Sequence, residues 1–302
     1  MRGFLDEIGK QLAGRWMALL TIPGLLFLIT TAAARGLGHS MDFSRAADRL
    51  RHLTPDHGEP PATLVLSALV VLALATFAGL LAHWMSAALE ELWLTPWHLW
   101  PAGPLLRNRR RRWARAHWRY QQADQRRELA ELAGLAQTAE AHARVAVQQA
   151  ARRNHIALTR PRHAGWMTDR LDGCGSRIMG EYGLDLDMVW PRMWLLLPEP
   201  ARTEVRAARE RFSQASGLAA WSVLYVVVGC VWWYPTALGG LAAGFLAWTR
   251  ARRAVGSLAD LVESSMDVHS PLLAEHLGVP LPNGRITPAI GATLRERIRK
   301  GA

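Results

Sequence analysis

The residues of this chain most able to do chemistry together are Asp185 and Asp187. They lie in Tyr182-Gly183-Leu184-Asp185-Leu186-Asp187-Met188-Val189-Trp190-Pro191-Arg192-Met193-Trp194-Leu195-Leu196-Leu197-Pro198. Two carboxylates can divide acid and base roles, or hold a cation, when a cleft separates their pKa values. The same spacing suits a helix cap at Asp185, or an ion pair of Asp185 with Arg177 or Arg192. Capping or pairing is the expected use. Cys174 becomes a nucleophile only if His155 or His163 folds onto it, and closeness in sequence does not supply that geometry. The two cysteines, Cys174 and Cys230, define no disulfide framework and no metal-ligand spacing. Gly-rich phosphate loops, His-Glu-x-x-His, Gly-x-Ser-x-Gly and Cys-x-x-Cys are all missing from the sequence. The expectation is a non-enzymatic protein with no catalytic residue, cofactor or metal.

A second set of residues offers binding instead. Arg107, Arg109, Arg110, Arg111, Arg112, Arg115 and Arg119 are interleaved with Trp113, His117, Trp118 and Tyr120. A basic, aromatic segment close to a membrane suits anionic lipid headgroups, at about 1 kcal/mol per Arg near the surface. A protein partner could use the same surface. Nucleic acid would be drawn by the same charge, but no nucleic-acid-binding module is visible to favour it. Arg clusters also fix membrane topology, so the charge can stand there without any ligand. The formal charge of +11 is concentrated here: residues 101–217 hold 21 Arg against 12 acidic residues.

These side chains must be positioned by helices, several of them in lipid. Residues 62–85 contain no Asp, Glu, Lys or Arg, and about 20 apolar residues suffice to cross a bilayer. Residues 16–34 form an earlier span, with Pro23-Gly24 predicting a kink; a cleaved signal peptide is the rival reading. Residues 218–248 are apolar throughout, with Arg on both flanks. A single crossing would leave one basic flank outside, whereas a hairpin turning at Trp232-Trp233-Tyr234-Pro235 keeps both inside. His83 falls near the inner end of the second span, and Trp93, Trp97 and Trp100 read as headgroup anchors.

Outside the spans, residues 109–153 carry a single Gly and no Pro, which predicts one long helix. Leu129, Leu132, Leu135 and Ala136 give it a modest apolar stripe, suited to packing on the module or on a second copy of the chain. Trp190–Leu197 is expected in the module's core rather than against lipid.

The Tyr182–Pro198 stretch, with Leu258-Ala259-Asp260-Leu261-Val262-Glu263, Asp267-Val268-His269 and Leu277-Gly278-Val279-Pro280-Leu281-Pro282, is similar to a broad group of uncharacterised actinobacterial polytopic membrane proteins. The likeness spans roughly residues 155–282. It implies topology and no reaction. It also marks Tyr182, Asp185, Trp190, Pro191, Arg192 and Trp194 as a candidate conformational or partner motif.

The sequence therefore predicts an all-α, multi-pass plasma-membrane protein with both termini cytoplasmic. Residues 1–15 form an interfacial helix, 16–92 a first transmembrane hairpin, 93–217 a basic cytoplasmic module, 218–249 a second transmembrane hairpin and 250–302 a cytoplasmic tail. Four spans result. The expected role is a membrane adaptor or scaffold contacting a protein partner or anionic lipid, with self-association possible. The alternative is a channel or membrane-permeabilising effector of a regulated toxicity or defence system.

Overall fold

The computed structural model describes residues 21–37, 61–96 and 102–299. The expected interfacial helix, the start of the first span, most of the first loop, and Trp97 and Trp100 lie outside these. The described residues are helical, without a strand. In chain order the helices are α1 (Ile22–Leu37), α2 (Pro61–Leu94), α3 (Ala102–Leu132), α4 (Ala136–Ile156), α5 (Trp166–Tyr182), α6 (Leu186–Leu196), α7 (Glu199–Val231), α8 (Tyr234–His276) and α9 (Pro288–Ile298). The chain divides into two compact units, Met1–Leu92 with Phe212–Ala251 and Trp93–Arg211 with Arg252–Ala302. The division falls inside α2, α7 and α8.

In the first unit, two helices are long and apolar enough to cross a membrane, α2 and α7. α2 is apolar on every side, yet only 17% of its most apolar window is buried. The buried positions are small: Ala75, Ala78, Ala82 and Ser86. Their three- and four-residue spacing places them on one face. Leu66, Leu69, Phe77 and Trp84 point outward and are exposed. A water-soluble core helix does the reverse.

The helices of this unit meet through small residues. A Cβ on Gly24 of α1 would lie 2.0 Å from the Ala75 carbonyl oxygen, and one on Gly229 would lie 2.0 Å from Ala237 N. Gly240 stands close against Val226 and the Ser222 carbonyl. Pairing 229 with 237 and 226 with 240 is antiparallel. The chain therefore turns back at Trp232 and Trp233, between α7 and α8, where the hairpin was expected. Ser86 and Ser216 share a hydrogen bond of 2.9 Å, and Ser216 Oγ lies 2.8 Å from Glu90 Oε1. Burying hydroxyls in this way is tolerable because each finds a partner.

The second unit corrects the long-helix expectation. Residues 109–153 are not one helix but the antiparallel pair α3 and α4, reversed at Ala133-Gly134-Leu135. Gly134 takes φ +71°, a left-handed conformation that costs glycine little and other residues more. Leu129, Leu132 and Leu135 are 66%, 86% and 56% exposed, so the apolar stripe does not pack on the rest of the unit.

The core lies elsewhere, in α5, α6, α8 and α9. Cys174 and Ile178 of α5, Val189 and Met193 of α6, Ala259, Met266 and Leu273 of α8, and Leu294 of α9 form one buried cluster. Residues beyond 252 are thus part of this core. Gly183 ends α5 at φ +65°. Next to it, a Cβ on Gly291 would lie 1.8 Å from the Tyr182 carbonyl oxygen. Backbone contact at two glycines is what lets α9 dock on the end of α5.

Candidate functional site

The arginines of α3 divide into two sets by what they touch. Arg109 turns inward. Its guanidinium donates to the carbonyls of Ile156, His163 and Gly165 and to Asp169. The Arg109 side chain is 13% exposed and that of Asp169 8%. Asp169 also accepts from the backbone N–H groups of Arg162 and His163. Burial lowers the Arg109 pKa, and the Asp169 carboxylate only partly offsets this. Arg110 donates to the Pro161 carbonyl, and Trp113 Nε1 to the Ala157 carbonyl. These three residues of the expected ligand surface fix the segment after α4. Trp113 also stacks on His117 at 4.6 Å.

Arg107, Arg111, Arg112, Arg115, Trp118 and Arg119 are exposed. Arg112, Arg115 and Arg119 recur at i, i+3 and i+7 and so share one face of α3. With Gln149, Arg152 and Ile156 of α4 they line a groove of about 310 Å³. α3 has no carboxylate before Asp124, and α4 has none after Glu140. The groove is therefore cationic with no internal counter-charge on either helix. Composition pointed to α3 alone; Arg152 was missed because only the reversal at Gly134 brings it opposite Arg112.

The acidic and aromatic motif behaves differently. Asp185 is the N-cap of α6, its Oδ1 accepting from Asp187 N at 3.1 Å, a use worth about 1 kcal/mol. It is not paired with Arg177 or Arg192. Arg192 instead donates to the Met188 carbonyl at 2.7 Å. Pro191 sits inside α6 and is exposed. Trp190 and Trp194, 6.1 Å apart, pack half-buried on the core.

Tyr182 donates to Asp267 Oδ1 at 2.7 Å. That bond ties the end of α5 to α8. Beside it lies a charge ladder that the sequence did not reveal. Arg170 of α5 donates to Asp260 and Glu263 of α8, both at 2.6 Å. Arg177, two turns on, donates to Glu263 at 2.7 Å and Asp267 at 3.3 Å. The Arg170 side chain is 7% exposed and that of Glu263 11%. Burial opposes charge on both. The mutual hydrogen bonds outweigh it, raising Arg170 and holding Glu263 below the ordinary carboxylate range. The signal was present as Arg spaced by seven against acids spaced by three and four.

Cys174 lies under this ladder and lines a cleft of about 990 Å³ together with Asp185, Asp187 and Trp190. Its thiol faces the Ala259 carbonyl. Among the described residues no His pairs with it: His163 approaches Asp172 instead, at 3.7 Å. Burial pushes the thiol pKa up to about 12, the opposite of what a nucleophile needs. Among the described residues no group of three His, Cys, Asp or Glu is placed to hold a metal. No family model, curated protein or solved structure matches the chain.

Proposed function

We propose that this is a non-enzymatic integral membrane adaptor whose basic helical unit contacts anionic lipid headgroups. The observation that carries this is the uncompensated arginine face of α3 and α4. It is exposed, it is built on two rigid helices, and no carboxylate of either helix lies along it. Exposed arginines in such numbers attract an anionic surface, each adding about 1 kcal/mol.

Anchoring in lipid is supported by α2, whose large apolar side chains face outward, and by the small-residue contacts between helices. Small residues let helix backbones approach where packing rather than water exclusion holds them together. In this reading the membrane is the plasma membrane, crossed four times, by α1, α2 and the two arms of the α7–α8 hairpin. The Arg-rich unit and both termini are then cytoplasmic, following the positive-inside rule. The same face is the surface available to a protein partner.

The test uses the full chain in nanodiscs of zwitterionic lipid, mixed with vesicles containing phosphatidylserine. Capture of vesicles is expected, weakening at high salt. Joint Arg111→Gln, Arg112→Gln and Arg115→Gln substitution should abolish it. Vesicle capture that is unchanged by these substitutions, or a periplasmic signal from a reporter fused after Ala302, overturns the reading.

A further inference from the structure

We infer that the α3–α4 groove is a discrete binding site for a dianionic phosphate group, and not merely part of a diffuse basic surface. This rests on the reading of that face as a ligand surface and adds the chemistry it selects. Arg112, Arg115 and Arg119 come from successive turns of α3, and Arg152 enters from α4. Among the described residues no ion pair involves any of the four. Arg115 spends its Nε on the Arg111 carbonyl, leaving its terminal nitrogens for a ligand.

Like charges three and four apart on a helix destabilise it by a few tenths of a kcal/mol per pair. Here three stand on one face, a fourth faces them across the groove, and no carboxylate among the described residues compensates them. Their neighbours show the contrast. Arg109, Arg170 and Arg177 each reach a carboxylate, so the fold does neutralise arginines elsewhere in the same unit. Other arginines of the unit also lack a carboxylate, but these four are the ones gathered around a single groove.

Guanidinium forks match the oxygens of a phosphate and bind it in pairs of parallel hydrogen bonds. Four forks around about 310 Å³ favour a group with two negative charges and three terminal oxygens over a singly charged diester. Gln149 adds an amide to the lining, and Ile156 an apolar side chain. The ligand class is therefore a terminal phosphate, free of a second ester. Phosphatidate and a soluble pyrophosphate both present that chemistry.

The experiment uses the full chain in zwitterionic nanodiscs and measures calorimetric binding of short-chain phosphatidate, inorganic pyrophosphate and short-chain phosphatidylserine. Phosphatidate or pyrophosphate is expected to bind at least about tenfold more tightly than phosphatidylserine. The tighter of the two identifies the source as lipid or soluble. Arg152→Gln should weaken that binding about tenfold, the loss of one charge-assisted hydrogen bond. Arg144→Gln removes the same charge from an exposed position of α4 outside the groove and should change it less than about twofold. Equal effects of the two substitutions, or equal affinity for phosphatidate and phosphatidylserine, overturn the site. If phosphatidylserine vesicles are still captured in that case, the adaptor reading stands without it.

Discussion

Glu263→Gln is the sharpest single test of what holds the second unit together. The Glu263 carboxylate receives Arg170 at 2.6 Å and Arg177 at 2.7 Å, one on each oxygen. Glutamine keeps the shape but offers one acceptor and one amide donor, so its NH2 must face a guanidinium. Breaking a buried ion pair from one side costs about 3–5 kcal/mol. Asp260 still holds Arg170 and is 72% exposed, which places the cost near the lower end, about 3 kcal/mol. For a unit of this size that is a loss of roughly 6–12 °C in Tm.

The assay is built into the molecule. Cys174 is 2% exposed and its thiol stays neutral, so a thiol-reactive fluorophore reports opening of the core on heating. Cys230 is exposed and is removed as Cys230→Ser in every variant. Asp267→Asn is the control. It meets Arg177 at 3.3 Å from a side chain 41% exposed, exposed pairs contribute about 1 kcal/mol or less, and the asparagine carbonyl oxygen keeps an acceptor for Tyr182. Glu263→Gln opening within about 2 °C of its parent, or no earlier than Asp267→Asn, would refute the assignment of the ladder as a stabilising element.

The same carboxylate sets a pH dependence. Its folded pKa lies below its ordinary value of 4.5, so its stabilisation is complete above that value and is lost as pH falls through the folded one. Opening temperature should drop below pH 4.5 in the parent, with a shallower slope in Glu263→Gln. Arg109→Gln releases three backbone carbonyls and Asp169; about 3 kcal/mol should be lost, with new proteolytic cuts in 157–165, whereas Arg111→Gln should stay within about 0.5 kcal/mol. Gly175 sits inside α5, and a Cβ there would meet open space, so Gly175→Ala should stabilise by about 0.5–1 kcal/mol in thermal unfolding. Gly291→Ala, driven into the Tyr182 carbonyl, should leave no cooperative transition.

Sequence patterns were most legible where one signal decided the outcome. The break at Trp232 and Trp233 followed from flanking arginines, and the cap at Asp185 from residue type. The helix pair α3–α4 was not legible. One Gly inside an Ala- and Arg-rich run is tolerated in a helix at about 1 kcal/mol, so propensity alone continued it. What reverses the chain is tertiary: the Arg109 and Trp113 bonds to carbonyls between Ile156 and Gly165 form only once α4 has folded back. The groove was half visible for the same reason. The α5–α8 ladder lay hidden because its partners are 86 to 93 residues apart along the chain. Composition also misled at Arg109, which turns inward while Arg107 and Arg111 face solvent.

The ladder has an unequal number of rungs: two guanidiniums on α5 against three carboxylates on α8. Slide α5 by one turn toward the far end of α8 and Arg170 would still find acids, at 263 and 267. Arg177 would then keep Asp267 but meet Ser270 and Pro271 in its second place, neither of which carries charge. A slide in the other direction leaves Arg170 with Asp260 alone, its second place taken by uncharged Gly256 and Ser257. The arrangement works as a vernier. Either neighbouring alignment gives one guanidinium two carboxylates and the other only one. The observed alignment alone of the three gives each guanidinium two, so electrostatics favours this axial setting even where the apolar packing would accept a neighbouring notch.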